Sequence, residues 1–167
     1  MASKRTPASA IALGGVMAAL AVVIMNLGGL IPVATYVCPV LCMMILQVVL
    51  KSCGRRMAWA WYGAVAILAL LMSPDKEAAA VFVCLGYYPI VKPALDKTKG
   101  KWIWKLLLFN GSTLVMYWLL MYLIGMDWLV AEFEEMGIAL TVVTLLLGNV
   151  TFFLLDNLLG RKLRKRK

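Results

Sequence analysis

The sequence predicts an all-α, polytopic integral membrane protein: a bundle of six transmembrane helices with both termini in the cytoplasm. Three observations lead there. The chain has 167 residues, 63% of them hydrophobic, where a soluble domain is nearer half. Its apolar runs approach the length of a membrane span, about 20 residues, and short charged stretches separate them. Lysine and arginine collect in alternate connections and the acids in the others, which is how topogenic charge is arranged. Six spans use about 120 residues, so the rest makes loops and tails and no soluble domain.

The net charge of +9 does not point to nucleic acid. The basic residues sit in short runs between apolar segments, as charge beside anionic lipid does. Met1–Pro7 is basic, but the apolar run behind it is too long for a cleavable signal and lacks a clear cleavage site. The chain has no histidine, which removes the commonest general base and metal ligand. Cys38 and Cys42 share a helix face at i, i+4; they read as small packing residues before they read as a metal or redox pair.

The elements follow in order. Span 1 covers residues 8–30. Ala10, Gly14 and Ala18 form one small-residue row and Gly15 and Ala19 a second. Such rows let helix backbones approach closely in lipid, either inside the bundle or against another membrane subunit. Asn26 is the one strongly polar side chain in this run, and Gly28, Gly29 and Pro32 end it. Span 2 covers residues 33–50, with Pro39 near its start as a candidate kink. The basic loop Lys51–Arg56 follows. Span 3 covers residues 57–72, with Trp59, Trp61 and Tyr62 placed for an interfacial aromatic belt.

Ser73 is the expected cap of the next helix, with Pro74 as its first residue and Asp75 and Glu77 in its first turn. Span 4 covers residues 77–91 and bends where Pro89 withholds a hydrogen bond. A lysine-rich loop runs from Lys92 to Lys105. Span 5 covers residues 102–125 and carries Asn110, Ser112 and Thr113 as a polar cluster. The acidic segment from Met126 to Met136 is expected to lay a short amphipathic helix, residues 128–135, on the outer surface. Span 6 covers residues 137–159, with Asn149 and Asp156 nearly on one face. Residues 160–167 are a basic tail.

Assigned alternately, the loops separate by sign. The amino end, the loops at 51–56 and 92–105 and the carboxyl end hold every Lys and Arg except Lys76. Asp75, Glu77, Asp127, Glu132, Glu134 and Glu135 face the other way. The positive-inside rule then places both ends in the cytoplasm and demands an even number of crossings. Asp156 lies near the inner boundary, about one turn from Arg161, where pairing or snorkelling is cheap; Lys92 and Lys105 are long enough to reach the interface.

No phosphate loop, dinucleotide fingerprint, nucleophile elbow or His-Glu-x-x-His occurs. Paired acids inside the spans are missing as well. The chain therefore reads as a non-enzyme without a motor, metal or cofactor. A small bundle of this kind borrows a motor, conducts passively or acts as a scaffold.

The run Ala12-Leu13-Gly14-Gly15-Val16-Met17-Ala18-Ala19-Leu20-Ala21-Val22-Val23 resembles the first helix of the substrate-binding S components of energy-coupling-factor (ECF) transporters. Those proteins are about this long and have six spans with both ends cytoplasmic. The resemblance covers nearly the whole chain in architecture and these dozen residues in motif. PDKEAA, GYYPIVK and KLLLFN look like segments of small bacterial membrane proteins grouped near that family. The resemblance implies a bacterial cell-membrane protein that captures a small molecule. It implies docking through the small-residue face of span 1 on a membrane coupling subunit driven by two ATPases. It implies a ligand toward the outer side, which makes Asn26, Thr35, Tyr36, Asp75, Lys76, Glu77 and Asn149 the candidate binding residues. The alternatives are a scaffold of cell-envelope or shape-determining machinery, similar in size to MreD-type proteins, and an orphan channel or lipid-handling protein.

Overall fold

Residues 7–28, 34–122 and 127–164 are described by a computed structural model. Every element among them is an α-helix: α1 Pro7–Gly28, α2 Ala34–Cys53, α3 Arg55–Met72, α4 Lys76–Leu85, α5 Tyr88–Leu95, α6 Lys101–Tyr122 and α7 Asp127–Arg164. Four apolar stretches are long enough to cross a membrane: Ala8–Leu27, Thr35–Cys53, Lys76–Leu95 (which takes in α4 and α5) and Lys101–Leu120. A shorter apolar stretch, Leu145–Gly160, lies in α7. The chain divides into two compact units, Met1–Asp96 and Lys97–Lys167.

In the first unit α2 is the central element and packs against α1, α3, α4 and α5. The reason is visible in its side chains: Cys42, Leu46 and Val49 are fully buried at helical spacing. α3 answers with Ala58, Trp61, Val65 and Ala69, the stripe expected of one helix face. α4 contributes Ala78, Ala79 and Phe82. Alanine at so many contacts keeps the backbones close, which is how helices gain packing where lipid supplies no hydrophobic drive. Cys38 and Cys42 lie in this core, and the Cys42 thiol reaches the Ala21 carbonyl at 3.5 Å. Trp61 is not an interfacial anchor. It is 3% exposed and its indole N–H donates to the Gly14 carbonyl at 3.1 Å.

Three boundaries differ from the sequence reading. The α4 cap is Asp75, whose carboxylate accepts from the Ala78 N–H at 2.9 Å; Ser73 instead ends α3. A carboxylate is a stronger acceptor for that orphan donor than a hydroxyl already used elsewhere. The fourth expected span is two helices, with Pro89 in the first turn of α5, where its missing N–H costs nothing. Gly86 sits at the joint because a Cβ there would lie 2.3 Å from the Phe82 carbonyl oxygen. The Tyr62 hydroxyl donates to the Val83 carbonyl and so satisfies the last turn of α4. Tyr88 faces the bundle, 1% exposed. Gly29 and Pro32 lie outside the described residues.

The second unit holds α6 and α7. Residues 128–135 do not form a separate surface helix; they are the first turns of α7, which runs unbroken for 38 residues. Nothing in that stretch stops a helix, since Gly137 weakens the ladder without interrupting it. The expected loop from Lys92 to Lys105 is also shorter. Lys92 belongs to α5 and Lys105 to α6, and both are buried.

Candidate functional site

α2 starts, and α3 ends, at the same end of the first unit, because the two helices run antiparallel through a one-residue joint at Gly54. That geometry brings four of the candidate residues into two pairs. The Thr35 hydroxyl donates to Asp75 Oδ2 at 2.7 Å, while Asp75 Oδ1 caps α4. The Tyr36 hydroxyl donates to Glu77 Oε1 at 2.7 Å. Ser73, 1% exposed, has its hydroxyl 3.3 Å from the Met25 carbonyl and 3.0 Å from that of Asp75, which ties α1 into the cluster. Lys76 turns back to the Leu70 carbonyl at 2.9 Å. The cluster therefore joins the end of α1, the start of α2 and the α3–α4 junction. It holds two carboxylates in fixed orientation with one ammonium among them, opposite the basic corner at residues 51–56.

Asn26 and Asn149 take part in neither pair. Asn26 bonds back to the Val22 carbonyl of its own helix at 2.8 Å, the local pattern that satisfies an amide without a tertiary partner. Asn149 belongs to the second unit. Its amide and that of Asn110 exchange hydrogen bonds at 3.1 and 3.2 Å. Among the described residues no group of three His, Cys, Asp or Glu side chains is placed to hold a metal ion.

The two small-residue rows of α1 face different ways. Gly14 is buried, and a Cβ there would lie 2.8 Å from Met57 Cε. The Ala10 carbonyl accepts from the Cys53 thiol at 3.5 Å. The Ala10, Gly14 and Ala18 row thus packs inside the unit. Gly15 and Ala19 are exposed beside Ile11, Val16 and Leu20.

The sequence reading missed the partner of Asp156. Lys105 Nζ lies 3.1 and 3.0 Å from its two carboxylate oxygens, and both side chains are almost wholly buried, at 2% and 6% exposure. Neither snorkels. The pair is flanked by ring contacts across the same seam, Trp102 on Phe153 at 5.2 Å and Phe109 on Phe152 at 4.6 Å. Lys105 also sits 5.3 Å from the Trp102 ring centre. Lys92 meets Asp96 one turn on, at 3.6 Å. Depth was the available signal: Lys105 lies one turn into α6 and Asp156 two turns before the end of α7, so antiparallel packing levels them.

An all-helical chain with four apolar stretches long enough to cross a bilayer defines a class, the helical membrane proteins. No family model matches the chain, and neither a curated protein nor a solved structure matches it.

Proposed function

We propose that the chain is a six-span protein of the bacterial cell membrane with both ends cytoplasmic. In this reading it serves as the substrate-capture subunit of an ECF-type transporter whose motor lies in partner chains. The spans are α1, α2, α3, α4 with α5, α6 and α7. The charge pattern supports the orientation: Lys51, Arg55 and Arg56 lie at one end of the first unit, Asp75 and Glu77 at the other, and the positive-inside rule puts the basic end in the cytoplasm. The observation that carries the capture reading is the pairing of Thr35 with Asp75 and Tyr36 with Glu77. It orients polar groups where three elements converge on the outer side, as a small-molecule site requires. The exposed Gly15 and Ala19 row is the remaining face of α1 for a coupling subunit.

Native mass spectrometry of the gently solubilised complex tests this. The expected result is a particle carrying a membrane coupling subunit, ATPase subunits and a bound small molecule. A chain recovered without any of them, from cells in which such ATPases are expressed, refutes it.

The filled core favours a second reading, a membrane scaffold. Trp61, Phe82 and Tyr88 occupy the interior of the first unit. Among the described residues no buried side-chain nitrogen or oxygen lacks a hydrogen-bond partner. A scaffold predicts altered cell shape on deletion with solute uptake intact.

A further inference from the structure

α6 carries aromatic side chains at both ends of its apolar run. Trp102 and Trp104 stand near its start, Trp118 and Tyr122 at its close, and all four are exposed. Between them the surface shows Leu106, Leu107, Leu114 and Val115. Tryptophan and tyrosine have an apolar ring and a polar tip, so they settle where hydrocarbon meets headgroups. A band that is apolar in the middle and amphipathic at each edge is the surface a helix turns to lipid rather than to protein. Lys101, exposed one position before Trp102, lies on the headgroup side of that band, where lipid phosphate balances an ammonium.

The two aromatic pairs measure the bilayer they fit. Their midpoints are 17 positions apart, about 26 Å along a helix. Tilt shortens that vertical distance and cannot extend it, so about 26 Å is an upper limit. α3, in the other unit, gives a second length. Trp59 is exposed, the helix ends 13 positions later at Met72, and Asp75 follows. That is about 20 Å of helix. An average hydrocarbon core is about 30 Å. A longer apolar helix such as α1 fits a thinner core by tilting, whereas a short one cannot stretch to a thicker core. α3 and α6 therefore set the match.

We propose that the lipid-facing surface is matched to a thin bilayer, with a hydrocarbon core of about 25 Å, and that Trp118 and Tyr122 hold one edge of that match. The assignment needs the helical membrane class but neither the capture reading nor an orientation. The full-length protein is reconstituted in phosphatidylcholine vesicles whose monounsaturated chains have fourteen, sixteen, eighteen, twenty or twenty-two carbons, and thermal unfolding is followed by tryptophan fluorescence. The melting temperature is expected to be highest at fourteen or sixteen carbons and to fall as the chains lengthen. A maximum at eighteen or more, or no dependence on chain length, overturns the proposal. W118L/Y122L removes one edge of the band and is expected to flatten the fall toward long chains. An unchanged profile, or a loss of stability equal at every chain length, also overturns it. Should W118L/Y122L fail to reconstitute as a folded species, W118F/Y122F keeps the rings and removes their polar tips, and the same flattening is expected. The wild-type profile in that variant overturns the assignment.

Discussion

Replacing Asp156 with leucine removes the carboxylate that pairs with the buried Lys105 ammonium. The two groups approach to 3.0 Å, which at an effective dielectric constant of about 20 is an attraction of about 5 kcal/mol before desolvation. Removing one member of a buried pair costs about 3–5 kcal/mol, because the remaining charge is left uncompensated. Lys105 lies one turn from the start of α6, so its long stem gives it a partial escape, and the lower end of that range is expected. At about 2–4 °C per kcal/mol for a chain of this size, D156L should melt roughly 6–12 °C below wild type. K105M/D156L removes both charges and keeps the volume, and should return close to wild type. The assay is unfolding in mixed detergent followed by tryptophan fluorescence for wild type, both single variants and the double. The coupling energy from the cycle should exceed about 2 kcal/mol. A value under about 0.5 kcal/mol, or a D156L protein as stable as wild type, would refute the reasoning.

The neighbouring amide pair should matter less. N149A removes the exchange with Asn110 but leaves Asn110 bonded to the Leu106 carbonyl, so a loss of about 0.6 kcal/mol in the same unfolding assay is expected; none at all would remove the pair from the seam. G86A forces a Cβ to within 2.3 Å of the Phe82 carbonyl and 2.9 Å of its ring, and should cost about 1–3 kcal/mol. G63A, where a Cβ meets nothing within 4 Å, should be neutral or stabilising by up to about 1 kcal/mol; equal melting temperatures for the two variants would contradict the packing described. D75A loses both the cap on Ala78 and the partner of Thr35 and should cost about 1–2 kcal/mol. D75N keeps an amide oxygen for the cap and should recover most of that, measured by thermal unfolding; a D75N protein as unstable as D75A would dismiss the cap.

The helical class was legible because it rests on composition and on the spacing of apolar runs, both local properties. The acid end was legible for a related reason. Thr35, Tyr36, Asp75 and Glu77 flank two helix boundaries, and antiparallel helices of matched length bring such boundaries together. Local chemistry failed where two residues competed for one role. Ser73 and Asp75 are both good caps, and the choice was decided by the Met25 carbonyl within reach of the serine, a contact 48 residues away in sequence. Trp61 looked interfacial because its neighbours are aromatic, yet its partner is the Gly14 carbonyl on α1, 47 residues away in sequence. The Lys105–Asp156 pair spans 51 positions, and no periodicity within either helix carries that information. Pro89 misled as a kink because whether a proline bends a helix or begins one depends on Gly86 three residues before it.

If α7 is the sixth span, as proposed above, it is too long to be swallowed by a bilayer. Its 38 residues make a rod of about 57 Å, against about 40–45 Å for a membrane with its headgroups. Tilting it enough to submerge it would take roughly 40° or more, at or beyond the edge of what membrane helices adopt. In that reading, at an ordinary tilt, about 10 Å of stiff helix would stand in water. In the orientation proposed above, with Asp156 near the inner boundary, the emergent stub belongs to the end that carries Glu132, Glu134 and Glu135. A periplasmic or extracellular neighbour would then meet a rigid, negatively charged post anchored through the membrane, where a six-span diagram would have drawn a slack loop.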